Sequence, residues 1–288
     1  MRLTADFHSH STYCDGRNSL REMVEAAYRK GFTDFGVSSH GDMSFCIPGF
    51  GMKEDDFERY KEELHRLKDE YRGRMNVYTG VELDTLGPVL KAEYAIGSTH
   101  CILKDGVYAV VDNSEEEQKD YVNRLWKGDW YAFVRDYYET EAEVYERTDC
   151  DWVGHFDLVT KFNQGGRYFD ETADEYLEPA LAAMRKLNEQ GLPFEINTGA
   201  ISRGYRKEPY PSKNLLKELK AMGGRIIINS DSHWAEAIGC CFDQAAGLAA
   251  ECGFEHTWVL TPKGGFRRVP LEEGKTGGGR RPVLAGAL

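Results

Sequence analysis

Along the chain, short apolar runs rich in β-branched and aromatic residues alternate with longer stretches whose apolar residues recur at helical spacing. The short runs predict strands over 3–7, 34–39, 76–83, 94–99, 152–156, 194–198 and 225–229, with 256–260 as a final one. The longer stretches predict helices over 20–30, 54–71, 115–126, 131–147, 172–190, 213–222 and 243–252. Asn18 or Ser19 is placed to cap the first helix, Glu22 stands at capping-box spacing from Ser19, and Gly31 stops the helix. Repeated strand–helix alternation predicts an α/β fold with a parallel sheet. The length suits a closed barrel, for which about 250 residues are typical, with an open doubly wound sheet as the competitor. Residues 1–271 show no linker or internal repeat and are read as one domain. Residues 272–288 are Gly-rich and read as a flexible tail, since their GGGRR lacks the strand–glycine–helix context of a phosphate loop.

A second pattern lies at the strand ends. His8 and His10 are two apart at the first strand, so both imidazoles project to one face. Asp15 follows in a turn marked by Gly16. His40 ends the second strand in VSSH, Glu82 the third in TGVELD and His100 the fourth in AIGSTH. His155 lies near the end of the fifth in WVGHFD, and Asp231 and His233 end the seventh in IIINSDSH. One such residue means little, because a single carboxylate after a strand is often a helix cap. Six of the eight histidines fall at these ends, and in a barrel the ends converge on one mouth. The pattern therefore predicts a joint metal site. His with carboxylate suits zinc, manganese or iron, whereas an all-oxygen set suits magnesium or calcium. Nine candidates exceed the needs of one ion and fit two or three sharing a bridging carboxylate. Clustered divalent ions suit phosphoester hydrolysis.

Charge and composition narrow the partners. Lys and Arg number 36 against 48 Asp and Glu, a net charge of −12. That argues against a general nucleic-acid binder and against an anionic membrane surface. No apolar run approaches the roughly 20 residues of a membrane span. MRLTADFHSH contains no apolar signal-peptide core. A soluble, cytoplasmic protein acting on a small phosphorylated molecule is expected, with its oligomeric state left open. The seven cysteines are odd in number and lack a C-x-x-C pair, so reduced, mostly buried thiols are expected.

HSHSTYCDG, SSH, GVELD, GSTH, GHFD and NSDSH, in that order, resemble the motifs of the PHP (polymerase and histidinol phosphatase) superfamily. GHFDLVTKF and EINTGAISRGYRKEPYPS resemble its stand-alone histidinol-phosphatase type. The resemblance implies a distorted TIM-like (β/α)7 barrel with the metal site at the C-terminal ends of the strands. It implies that His8, His10, Glu82 and Asp231 hold one ion, and that Glu82, as a bridge, holds a second with His100 and His155. Asp15, His40 and His233 would hold a third. The cofactors implied are two to three divalent ions, Zn, Mn or Fe. The activity implied is that of a phosphomonoesterase of histidine biosynthesis. In it a metal-bridging hydroxide attacks L-histidinol phosphate, and Glu82, Asp231 and His233 are the catalytic residues. Arg167 and Arg203 stand where similar proteins place phosphate-binding arginines, whose planar fork suits phosphate oxygens. Arg206 and Lys207 are alternatives, because ISRGYRKE departs from a more compact Leu-Arg run. Ser39 stands where the motif usually has Asp before His40. Two further readings are a PHP phosphoesterase for phosphotyrosine or a nucleotide, and a non-catalytic metal-binding PHP domain.

Overall fold

Residues 3–271 are described by the structure, a computed structural model, and the segment 272–288 lies outside the described residues. The first half runs β1 (Ala5–Asp6), α1 (Leu20–Arg29), β2 (Asp34–Val37), α2 (Glu54–Glu70), β3 (Asn76–Asp84), β4 (Tyr94–Ser98), β5 (Cys101–Lys104), β6 (Val107–Val110), α3 (Glu115–Leu125) and α4 (Trp130–Glu141). The second runs α5 (Val144–Thr148), β7 (Trp152–Val153), α6 (Asp174–Glu189), β8 (Pro193–Asn197), α7 (Gly199–Ser202), α8 (Lys213–Ala221), β9 (Arg225–Asn229), α9 (Phe242–Glu251), β10 (His256–Leu260) and β11 (Phe266–Pro270).

The first helix forms for the reasons its sequence gives. Ser19 and Glu22 make the capping box, and Leu20, Met23, Val24 and Ala27 fall on one buried face at helical spacing. The sheet order is β1-β2-β3-β4-β7-β8-β9-β10-β11. Every pairing from β1 to β10 is parallel, and β11 returns antiparallel on β10. The fold is thus α/β with a mostly parallel sheet. Beyond the ladders, Ser9 bridges Ser232 in parallel, and His10 N–H donates to the Ser232 carbonyl at 2.8 Å. That bridge joins the residues after β1 to those after β9. Among the described residues no helix is long and apolar enough to cross a membrane.

Several elements differ from their sequence expectation. β1 and β7 each span two residues rather than five, because the chain leaves the ladder to project the histidines that follow. The stretch 131–147 breaks between α4 and α5 at Ala142 and Glu143. The β5–β6 hairpin turns on Asp105 and Gly106, at φ 51° and 78°, the positive values that an Asp-Gly hairpin turn uses. Cys46, in the loop after β2, is disulfide-bonded to Cys101 at the start of β5, which corrects the expectation of seven reduced thiols. A separation of 55 residues hides that proximity from the sequence.

Glu141, on the inner face of α4, is buried with neither carboxylate oxygen hydrogen-bonded. Burial pushes its pKa from the ordinary 4.5 up to about 8. The folded state therefore holds a proton that the unfolded chain releases, and stability falls as pH rises from 4.5 through about 8. Glu141→Gln should flatten that decline, measured as Tm against pH; a wild-type slope left unchanged in the variant would remove Glu141 as its source.

Candidate metal centre

Six of the parallel strands deliver ligand candidates at their C-terminal ends. His8 and His10 follow β1, His40 follows β2, and Glu82 lies near the end of β3. His100 follows β4, His155 follows β7, and Asp231 and His233 follow β9. Asp15 reaches the same place from the turn after His10. The nine residues expected from the sequence come together in one mouth, where they form four groups of three or four potential ligand atoms each within 4.8 Å of one another. The group of His10, Asp15, His40 and His233 includes all three residues implied for one ion position.

Glu82 is the centre of this arrangement. Its Oε2 lies 3.2 Å from His8 Nε2, 3.5 Å from His10 Nε2 and 3.1 Å from His40 Nδ1. Its Oε1 lies 2.9 Å from His155 Nε2 and 3.4 Å from His100 Nε2, and accepts a hydrogen bond from Ser98 Oγ at 2.8 Å. One buried carboxylate thus faces five imidazoles. Burial alone would raise its pKa, but the imidazoles of His40, His8 and His100 outweigh it and hold the carboxyl well below the usual range. Burial and the neighbouring His233 and His40 push His10 down to about 3, so its imidazole is neutral and has a free lone pair. His8 Nε2, His10 Nε2, His40 Nδ1 and Glu82 Oε2 are buried without a hydrogen-bond partner. Buried polar atoms ordinarily have partners, so these convergent acceptors fit divalent cations as a donor set.

Asp231 and His233 sit at the edge with Arg203. Arg203 donates from Nη2 to Asp231 Oδ2 at 2.9 Å and from Nη1 to His233 Nδ1 at 2.7 Å. His233 Nε2 faces Asp15 Oδ2 at 3.0 Å. Burial would raise the Asp231 pKa, but the guanidinium and His8 hold it well below the usual range. Asp231 has φ 48°, a left-handed conformation uncommon outside glycine and found at functional sites. Gly199 makes the pair possible, since a Cβ there would lie 2.6 Å from Asp231 Oδ2 and 2.9 Å from Arg203 Nη2.

Behind His8 lies Glu195 on β8, fully buried. His8 Nδ1 donates to it at 2.9 Å, Asn229 Nδ2 and Asn197 Nδ2 each at 2.8 Å, and the His155 backbone N–H at 3.2 Å. Asn197 Nδ2 also reaches Asp231 Oδ2 at 3.3 Å. Glu195 therefore fixes the tautomer of His8 so that Nε2 points into the mouth, and it ties together the segments carrying His155 and Asp231.

The mouth opens into a cavity of about 260 Å³. Met43, Ile47 and Phe50 wall one side, from the loop after β2. Lys161, Asp112, Leu158 and Tyr205 line the rest, beside Arg203. Lys161 Nζ meets Asp112 Oδ2 at 3.0 Å and stacks its charge over Tyr205 at 4.8 Å. Burial would raise the Asp112 pKa, but Lys161 and His100 bring it down to about 2. Of the four basic residues singled out in the sequence, Arg203 lines this cavity. Arg167 is exposed and paired with Glu115, and it follows Gly165 and Gly166, both at positive φ. Arg206 is buried against Thr160 and lies 3.6 Å from Glu171. Lys207 is exposed, its backbone N–H bonded to Gln164 at 3.0 Å. Ser39 shares a hydrogen bond with Ser11 at 2.9 Å.

A family model described as the PHP domain matches residues 6–199, more than half of the chain. The chain belongs to the PHP domain family. Bacillus subtilis histidinol-phosphatase is 27% identical to this PHP chain over 268 residues, covering 83% of it and 96% of the relative. Histidinol phosphate phosphatase (HisK) of Lactococcus lactis, solved with Zn, L-histidinol and phosphate, shares the fold at a TM-score of 0.67 and 22% identity. That match covers 91% of this chain and 98% of the other. HisK of Listeria monocytogenes superposes with a TM-score of 0.70 at 19% identity, covering 83% and 99%.

Three residues of the PHP site escaped the sequence reading. Lys161 stood inside GHFDLVTKF, where its charge in an apolar stretch was the available signal. Glu195 stood between Phe194 and Ile196 in an apolar strand, and a carboxylate there is a mark of internal pairing. Asp112 was missed because the β5–β6 hairpin that delivers it, marked in the sequence by Asp105-Gly106, was not anticipated.

Proposed function

We propose that this PHP protein is a metal-dependent phosphomonoesterase that hydrolyses L-histidinol phosphate to L-histidinol and phosphate. The observation that carries the proposal is Glu82, one buried carboxylate among five imidazoles at the floor of a cavity holding Arg203. The relatives named above support the substrate. His8, His10, Glu82 and Asp231 would hold one divalent ion, Glu82 with His100 and His155 a second, and Asp15, His40 and His233 a third. Such ions, when bound, lower the pKa of water and neutralise phosphoryl oxygens. Zn suits the His and carboxylate donors, and Mn and Fe accept the same set. The parallel pairing of β1 to β4 and β7 to β9, with the Ser9–Ser232 bridge, supports a distorted (β/α)7 barrel as the frame of this site.

The protein's own groups divide the remaining work. Arg203 and Lys161 meet the phosphate oxygens, Arg203 through its planar fork and Lys161 as a point charge. Arg203 also sets the orientation of Asp231 and His233. Asp231, held ionised, is suited to accept a proton from water rather than to donate one. Asp112, equally ionised, faces the ammonium of the substrate. Met43, Ile47, Phe50 and Tyr205 exclude water around its carbon skeleton and ring.

Phosphate release from L-histidinol phosphate, phosphotyrosine and nucleotides, each with Zn, Mn and Fe, tests the reading. The highest kcat/KM is expected for L-histidinol phosphate; equal turnover of all three substrates would refute that specificity. Arg203→Ala should raise KM for L-histidinol phosphate by roughly tenfold or more, by loss of a charge-assisted contact of about 1.5–3 kcal/mol. An unchanged KM would move phosphate binding to Lys161.

A further inference from the structure

Away from the metal centre, two thiols stand side by side. Cys240 Sγ and Cys241 Sγ are 3.1 Å apart, both half-buried, in the turn that leads into α9. The turn is anchored on every side. Gly239 N–H donates to Asp6 Oδ2 at 3.2 Å, and Thr198 Oγ1 donates to the Cys240 carbonyl at 2.8 Å. Lys30 Nζ donates to the carbonyls of Glu236 at 2.6 Å and Ile238 at 3.0 Å. The Cys241 carbonyl accepts from Ala245 N–H at 3.0 Å, and Cys241 itself has φ 61°. A backbone fixed at these points keeps the two sulfurs together.

The pair also differs chemically from the other thiols. The Cys241 thiol, donating its hydrogen bond, and the Lys30 ammonium hold Cys240 below the usual thiol range, at about 7, against the effect of burial. The same hydrogen bond pushes Cys241 up. The shared hydrogen bond and Lys30 thus favour the thiolate on Cys240 and the thiol on Cys241. Burial instead pushes Cys14 and Cys150 up to about 12 and raises Cys252 as well. Cys46 and Cys101 are already joined. A low-pKa, accessible thiolate next to a resolving cysteine is the arrangement of peroxide-reactive sites.

We propose that Cys240 and Cys241 form a hydrogen-peroxide-reactive dithiol, with Cys240 as the attacking sulfur and Cys241 as the resolving one. The Cys240 thiolate attacks one peroxide oxygen, an S–O bond forms, the O–O bond breaks, and hydroxide leaves to become water on protonation. The Cys241 sulfur then attacks the Cys240 sulfenic sulfur. An S–S bond forms, the S–O bond breaks, and the departing hydroxide takes the Cys241 proton as a second water. The two sulfurs together lose two electrons, and the peroxide gains them. A bridge between adjacent residues closes a small, strained ring, so thiol exchange reverses it readily.

The test treats the metal-loaded full chain with hydrogen peroxide at neutral pH and maps the products by mass spectrometry. The expected product has lost two hydrogens, confined to the peptide containing residues 240 and 241, and dithiothreitol restores it. C241S should halt at the sulfenic acid, trapped by dimedone on Cys240. C240S should slow peroxide consumption by roughly tenfold or more, since the remaining thiols carry little thiolate. Both variants lie outside the metal centre and should keep wild-type phosphate release, which checks their folding. First modification at Cys14, Cys150 or Cys252, or a C241S protein with no dimedone adduct, would overturn the proposal.

Discussion

Glu82→Gln is expected to abolish turnover and strip metal from the protein together. The substitution keeps the shape of the side chain but removes the charge that faces five imidazoles. It also places an amide N–H₂ where Oε1 or Oε2 now offers a lone pair, so one side of the mouth meets a donor instead of an acceptor. A loss of about a thousandfold in kcat is expected, roughly 4 kcal/mol at about 1.4 kcal/mol per tenfold. Zinc or manganese content, measured on the purified variant, should fall in parallel. Phosphate release within about tenfold of wild type, with full metal content, would remove Glu82 from the centre of the mechanism.

Glu195→Ala should produce the second large effect, and through a different route. Glu195 does not itself line the cavity. It accepts from His8, Asn197, Asn229 and the His155 backbone. Removing one partner of a buried charged pair costs about 3–5 kcal/mol, so Tm should fall clearly. The orienting partners of metal-bound histidines are typically worth about 10–100-fold in metal affinity, and a chelator-competition titration should register a loss in that range. Glu195→Gln should not rescue either property, because all four neighbours donate and an amide offers only one acceptor oxygen. Wild-type zinc affinity in the Glu195→Gln variant would reduce Glu195 to a packing residue.

The metal mouth was legible because its residues are chemically conspicuous. His8, His10, His40, His100, His155 and His233 stand at the ends of apolar runs, and parallel strands carry such ends to one side. The strand limits were less legible at β1 and β7, where function-bearing residues begin as soon as the ladder stops. The Asp105-Gly106 pair is a strong hairpin signal that the broad alternation of strands and helices concealed. The cations that line the cavity were the least legible. Arg167 and Lys161 lie six residues apart, yet Lys161 lines the cavity while Arg167, just after Gly165 and Gly166 at positive φ, is exposed and paired with Glu115. Glu195 was hidden for the opposite reason: its role is defined by partners drawn from distant strands, as far as 187 residues away at His8.

The bridge between Ser9 and Ser232 also sets an order of events during synthesis. Asp6 and Ser230, bonded beneath that bridge, are 224 residues apart. His8, His10, His40, Glu82, His100 and His155 leave the ribosome well before Asp231 and His233 exist. Closing so long a loop is an entropic step that local contacts cannot advance. Until it is taken, the emerging chain exposes imidazoles without the edge that completes the mouth, and without Arg203 fixed on Asp231. The ligand candidates therefore reach their final arrangement late in biogenesis, with the arrival of β9.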